Sequence, residues 1–449
     1  MPSTPKRRVF AAALQVVTAV AAAATIAACT PSTPADTEAT EPPPPPGPIT
    51  DPAELQWQRT APDPDVWAAD ASTMVFGSTV TADATLVAVG VDRRASPSVA
   101  AVFTTRDGFT YSRVPPGDVE AGTAALSAET AMRDVVSTPT GLVAVGFEYA
   151  PTAAQVPAST AAGTPAVGAT TAAVWRSTDA THWTRVAAAP TTALANALMT
   201  RIVALPAGGF DVVGEAPTTG AGIAWTSTDA TTWHRLDATS GLDAPGRTSF
   251  QAATTTPAGT VLIAGSYRVG NTRRAAVWLS LDAAAWRRVD SPAFAASPAQ
   301  EIAAVTGFRG GIVAGGAATE DGTDAAAVWT SPDGDNWERV PHDEATFGGA
   351  GGDAITVLLP AGDGILALGR ASPGKLDPDA AVWTSGNGRD WRREPLPAEI
   401  FGGPNTEEFL TAQIVSDRVA ATGRSKRADR DTLRFVDSEL MLWFAQEPQ

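Results

Sequence analysis

Residues equipped for proton or group transfer are scarce in this 449-residue chain, which has 3 His, 3 Tyr and 1 Cys. Two arginines stand out by position: Arg133 and Arg201 each precede a glycine, Gly146 and Gly214, by 13 residues. A shared register on inner strands would let the pair clamp an anion through forked guanidinium donors. The competing reading pairs Arg133 with its neighbour Asp134. Glu408 and Asp353 are the carboxylates considered for glycoside hydrolysis, which needs two carboxyls about 5–9 Å apart. Aromatics beside acids form a third set: Trp67 near Asp63 and Asp65, Phe347 near Asp343 and Glu344, Phe401 near Glu407 and Glu408. Such rings suit a sugar or a cationic peptide; the alternative is that they plug gaps between elements. His182, His234 and His342 are dispersed, so no metal triad and no cofactor is expected. Acidic groups such as Asp333, Asp335 and Asn336, or Glu320, Asp321 and Asp324, read as solvated turns rather than calcium ligands. The chain has no G-x-S-x-G elbow, phosphate loop or H-E-x-x-H pair.

Internal repetition shows what must position these residues. A stretch reading A-A-V-W-x-S-x-D-x-x-x-W-x-R-V recurs, its first aromatic at Phe103, Trp175, Trp225, Trp278, Trp329, Trp383 and Trp443. Its second half falls at Tyr111, Trp183, Trp233, Trp286, Trp337 and Trp391, with Arg113, Arg185, Arg235, Arg288, Arg339 and Arg393 two residues on. The seventh second half stands at the other end of the domain, as Trp57-Gln58-Arg59. Small apolar strands ending in Gly90, Gly146, Gly214, Gly265, Gly315, Gly369 and Gly423 precede each first aromatic. Units of roughly 50–70 residues with four short strands spell propeller blades. The expected fold is all-β: a seven-bladed β-propeller over residues 55–446, four antiparallel strands per blade. A strand near residues 57–60 would close the last blade and remove an exposed edge. The W-x-R arginines then read as edge-strand cations, stacked or paired with acids. Composition agrees, since 44% apolar content supports a core while 40 Gly and 36 Pro disfavour long helices. A net charge of −16 argues against nucleic acid or an anionic membrane surface as a partner held by charge, since both need a basic stripe. One cysteine excludes a disulfide framework and a cysteine-built zinc site.

Ser/Thr-x-Asp turns supply Asp107, Asp179, Asp229, Asp282 and Asp333, with Asn387 in the sixth copy. The segment Ser331-Pro332-Asp333-Gly334-Asp335-Asn336-Trp337 resembles the Asp-box, or BNR, repeat of sialidases, xyloglucanases, sortilin-type receptors and photosystem assembly factors. Ala180, Ala230 and Ala283 replace its glycine, so those turns are expected to be degenerate. Repetition argues that these aspartates hold turns, because a catalytic group is needed once. A sialidase would imply an arginine triad and a Tyr–Glu nucleophile pair. Tyr149 and Tyr267 are expected in b–c loops, and no third arginine shares the register of Arg133 and Arg201. Twelve of the 13 Trp are repeat positions, which leaves Trp67 over.

Lys6, Arg7 and Arg8 precede an apolar run over residues 9–28, the charge order of an export signal. Ile26-Ala27-Ala28-Cys29 resembles the bacterial lipobox. That resemblance implies cleavage after residue 28 and a diacylglycerol thioether on Cys29. Residues 29–54, rich in Thr, Pro and acids, read as a disordered tether. Cleavage would also remove three cations and leave a charge of −19. The expected protein is anchored to the outer side of a cell membrane through Cys29. Its expected role is non-enzymatic, binding a cell-wall glycan or a partner protein through the face of Trp67, Phe347, Phe401 and Glu408. The alternatives are a glycoside hydrolase and an assembly factor for membrane complexes.

Overall fold

The computed structural model describes residues 49–67, 73–94, 97–119, 129–150, 169–186, 193–236, 241–242, 244–280, 285–349, 351–372, 377–429 and 434–448. Short runs of valine, alanine, leucine and isoleucine bounded by Gly, Asp and Ser turns become seven four-stranded antiparallel sheets. Strands a to d follow chain order in blades 1–6. In blade 7 the order is Thr406–Val415, Arg418–Asp429, Arg434–Gln446 and then Gln56–Thr60 from the N-terminal end. The register at that seam is the register of every other blade. Arg59 stands opposite Trp443 as Arg185 stands opposite Trp175 and Arg339 opposite Trp329. The propeller therefore closes through the split repeat, and strand c of blade 7 is paired like that of every other blade. Strands a touch their neighbours all the way round and form the inner wall. The a–b and c–d turns share one face, called the turn face below; the b–c and d–a connections share the other, the loop face.

Each strand a carries a one-residue bulge opposite a glycine, between Val75 and Gly77 in blade 1 and between Met132 and Asp134 in blade 2. The bulge presses a strand-a carbonyl onto the partner strand. A Cβ on Gly90 would lie 1.8 Å from the Met74 carbonyl oxygen, and one on Gly214 1.8 Å from that of Leu198. Only glycine fits, which explains the repeated glycine upstream of each aromatic. In blade 5 the residue opposite the bulge is Gly316, not Gly315 as the spacing suggested.

The loop face holds a second repeat that residue types conceal. Each d–a connection drops one apolar side chain between consecutive blades: Trp67, Val119, Leu194, Leu242, Phe294, Phe347 and Phe401, all buried. In four blades the indole N–H of the next strand c donates to the residue just before the plug: Trp225 to Ala193 (2.8 Å), Trp329 to Ala293 (3.2 Å), Trp383 to Thr346 (2.7 Å) and Trp443 to Ile400 (3.0 Å), whereas those of Trp175 and Trp278 are buried without a partner among the described residues. Phe103 has no N–H, and there Trp67 stacks on it at 3.9 Å between ring centres.

The Ser/Thr-x-Asp turns share one construction. Asp333 Oδ1 accepts the backbone N–H groups of Asp335 (2.9 Å) and Asn336 (2.8 Å), while Ser331 Oγ accepts that of Gly334 (2.8 Å). Asp107, Asp179, Asp229 and Asn387 do the same work in their own blades. Asp282 lies outside the described residues. Ala180 and Ala230 do not loosen their turns as expected. They adopt φ of 66° and 56°, the left-handed backbone that Gly334 takes at 89°. That conformation costs an alanine about 1 kcal/mol, and turn closure plus burial of the methyl offsets it.

Residues 49–54 are packed, contrary to the expected reach of the tether. Ile49 and Leu55 are buried beside Trp57 against blades 6 and 7, and Asp51 caps the short turn Pro52–Glu54.

Candidate functional site

The candidate residues fall into three groups, and the structure treats each differently. The aromatics turn inward: Trp67, Phe347 and Phe401 are at most 3% exposed. Phe347 and Phe401 end the short helices Glu344–Phe347 and Ala398–Phe401, and the helices exist to aim them between blades. Phe401 meets Trp57 edge-on at 5.7 Å, and Trp67 meets Tyr111 at 5.2 Å. A ligand cannot reach these rings, so the expectation that they form a binding surface is corrected to inter-blade packing.

Glu408 is likewise withdrawn from any ligand. It sits on strand a of blade 7, buried, and binds Arg370 (2.5 Å), Arg424 (2.5 Å) and Lys426. Register explains the convergence, because Glu408 lies opposite Arg424 and Thr406 opposite Lys426 on strand b. Arg370 reaches across from blade 6 and also donates to the Gly352 carbonyl (2.6 Å). Burial raises the carboxyl pKa, but the cations prevail, Arg370 foremost, and hold it down at about 2. Such a group stays ionised and cannot act as a general acid. Asp353 is fully buried and accepts the Ser372 backbone N–H. It directly precedes strand a, Ala354–Ala361, and stands two residues before Ile355, which faces the bulge glycine Gly369, the place held by Thr130 in blade 2 and Glu407 in blade 7. There Thr130, Asp353 and Glu407 donate their backbone N–H groups to Ser98 (3.0 Å), Asp324 (3.2 Å) and Pro378 (2.9 Å) of the preceding blade. Glu408 is held by three cations and Asp353 by the Ser372 backbone N–H, its Oδ2 buried without a hydrogen-bond partner among the described residues.

Arg133 and Arg201 remain. They do not share a register, because Met132 pairs with Gly146 while Met199 pairs with Gly214. The bulged residues are thus Arg133 and Thr200, and Arg201 takes the place of Asp134; the longer 205–209 turn of blade 3 offsets the count. The two are nevertheless neighbours on the inner wall. Asp134 does not pair with Arg133. Its carboxylate accepts the backbone N–H groups of Val135 and Ile202, both at 3.0 Å, and so stitches blade 2 to blade 3. Arg201 donates to the carbonyls of Gln251 and Thr200 (2.6 Å). Arg133 makes no hydrogen bond or ion pair among the described residues. Its Nε is buried and unpartnered, and its guanidinium stacks at 4.2 Å on Phe76, the bulged residue of blade 1. Burial, and then the charge of Arg201, push it down to about 10, and it remains a cation at neutral pH.

The other chemistry-bearing residues are accounted for by the fold. Tyr149 and Tyr267 lie on strands b, Gly141–Ala150 and Val261–Val269, not in loops, and Arg288 covers Tyr267 at 4.8 Å. The W-x-R arginines Arg113, Arg185 and Arg339 pair with Asp92, Glu148 and Glu320 on the strand b of their own blade. Among the described residues no three His, Cys, Asp or Glu side chains form a group that could hold a metal ion. A groove of about 1140 Å³ opens on the turn face between blades 2 and 3, walled by Val186, Leu205, Pro206 and Phe210. Its rim carries His182, bound to Asp179 at 2.8 Å. The sequence had directed attention to the opposite face.

One buried acid lacks any compensation. Asp211, on strand b of blade 3, is buried with both carboxylate oxygens unpartnered among the described residues, and burial raises its pKa from 3.8 to about 7. The folded state therefore holds a proton that the unfolded state releases near pH 4. Stability is fully present below pH 4 and falls as pH rises to 7, by about 4 kcal/mol from this group. Asp211→Asn is expected to remove that decline and to be the more stable protein at pH 8. Urea unfolding of both proteins at pH 4.5 and pH 8 checks it; equal pH dependence would refute the assignment.

No family model and no curated protein matches the chain. Solved structures do. A protein of unknown function from Dyadobacter fermentans has a TM-score of 0.46 at 10% identity, covering 88% of this chain and 100% of its own. A Trypanosoma rangeli sialidase in complex with the inhibitor DANA has a TM-score of 0.43 at 12% identity, covering 84% of this chain and 54% of its own. The polysaccharide lyase Uly1 has a TM-score of 0.46 at 8% identity, covering 83% and 89%. At such scores and identities these likenesses carry no argument about activity.

Proposed function

We propose that this propeller is a non-enzymatic binding module, lipid-anchored through Cys29 on the outer side of a cell membrane, that takes an anionic group of a cell-wall glycan at Arg133 and Arg201. One observation carries the ligand half of this reading: Arg133 presents a guanidinium on the inner wall, stacked on Phe76 but with no hydrogen-bonding or ionic partner among the described residues. A desolvated cation beside a second cation is held at a cost, and a carboxylate or phosphate arriving there meets forked donors already oriented by Phe76. Non-enzymatic binding is favoured because the one carboxylate pair considered for hydrolysis is locked in structural contacts. The anchor half rests on the sequence of residues 6–29, which lies outside the described residues. Cys29→Ser is expected to move the protein from the membrane fraction to the soluble fraction and to abolish labelling by a fatty-acid probe. Unchanged membrane retention would contradict the anchor.

A further inference from the structure

The path of the chain into the propeller places the two faces differently with respect to an anchored N-terminus. Thr50 and Asp51 donate their backbone N–H groups to Glu447 Oε1, both at 2.6 Å, and Asp363 donates to the Thr50 carbonyl (2.9 Å). Asp363 belongs to the a–b turn of blade 6, and Glu447 directly follows strand c of blade 7, so residues 49–51 enter at the turn face. The same face carries Phe109, 43% exposed, at the tip of the blade-1 turn where other turns have Thr181, Thr231, Asp335 or Arg389. Phe444 lies 5.5 Å from it, and the Arg418 guanidinium lies 5.5 Å over its ring. One other large apolar side chain is exposed among the described residues, Val269 in the blade-4 b–c turn of the opposite face.

We infer that the turn face rests against the membrane surface, with Phe109 as the contact to the lipid interface; this rests on the anchored reading above. Arg418 is held over the ring by its hydrogen bonds to Gln446 (2.7 Å) and the Asp107 carbonyl (3.3 Å), and an exposed aromatic ring is suited to the headgroup boundary. The 20 residues 29–48 would reach about 60 Å as polyproline II, at 3.1 Å per residue. Tethering at that length gives a high effective concentration of the face near the bilayer, so one weak contact suffices to bias orientation. The loop face then points away from the membrane.

The test uses the full acylated chain in vesicles of phosphatidylethanolamine and phosphatidylglycerol, with the native cysteine occupied by lipid. Ala82→Cys, exposed in the blade-1 a–b turn of the same face, and Val269→Cys, each labelled with the same environment-sensitive fluorophore and each keeping Phe109, are compared for quenching by nitroxide-bearing lipid. Several-fold stronger quenching at position 82 is expected. Equal quenching, or stronger quenching at 269, overturns the orientation while leaving the anchor intact. Mass measurement of the N-terminal peptide separates the two readings, since a peptide without lipid overturns the anchor and this inference with it.

Discussion

Phe401→Ala lowers the unfolding free energy by about 3–5 kcal/mol, the range for deleting a buried aromatic side chain, and leaves glycan retention per folded molecule unchanged. The side chain fills the gap between blades 6 and 7 and touches Trp57 (5.7 Å) and Phe409 (6.3 Å between ring centres). It also ends the helix whose Ile400 carbonyl receives the Trp443 indole N–H. A cavity here loosens the seam where the N-terminal strand closes the propeller. Urea unfolding at neutral pH measures the loss. A loss of binding without a loss of stability would return Phe401 to the role of a ligand contact. Trp67→Ala is the same experiment at the junction of blades 7 and 1.

The second large effect belongs to Glu408. Its pKa falls from 4.5 to about 2 in the folded state, so its contribution is fully present above pH 4.5 and is lost as pH falls through that window. The shift corresponds to about 3 kcal/mol. Glu408→Gln leaves Arg370, Arg424 and Lys426 crowded without their shared carboxylate, which costs about 3–5 kcal/mol at pH 7. The variant is expected to unfold at lower urea at pH 7 and to lose much of the wild-type difference between pH 7 and pH 3. Wild-type stability at pH 7 in Glu408→Gln would show that the three cations are satisfied elsewhere. Asp211 titrates in the opposite sense at higher pH, so the two groups separate in a pH series.

The architecture was legible because the chemistry of each blade repeats by residue type. Trp57-Gln58-Arg59 could be recognised as the missing strand because an outer strand needs that tryptophan and that arginine, wherever they lie in the chain. The inter-blade plug was missed for the opposite reason. Its position repeats but its residue does not, running from Trp67 through Val119 and Leu242 to Phe401, since any apolar volume fills the gap. Spacing held the signal: the plug lies 35 or 36 residues before the strand-c aromatic in blades 1, 4, 5 and 6. Trp67 looked surplus only because that spacing was not counted. Charge partners were less legible still. Arg370, Arg424 and Lys426 meet Glu408 through strand register and a neighbouring blade, and a span from bulge to glycine longer by one residue in blade 3 than in blade 2 displaced Arg201 from the place expected for it.

Arg133 and Arg201 carry the functional reading, and one measurement addresses them directly. The full chain is co-sedimented with insoluble cell-wall glycan, as wild type and as Arg133→Gln/Arg201→Gln, with folding of both checked by unfolding midpoint and released saccharide assayed in the supernatant. Each lost charge-assisted contact is worth about 1.5–3 kcal/mol, so the double variant is expected to bind at least tenfold more weakly, with no saccharide released by either protein. Equal retention of the two proteins, or saccharide released by the wild type, would contradict a non-enzymatic anion-binding propeller.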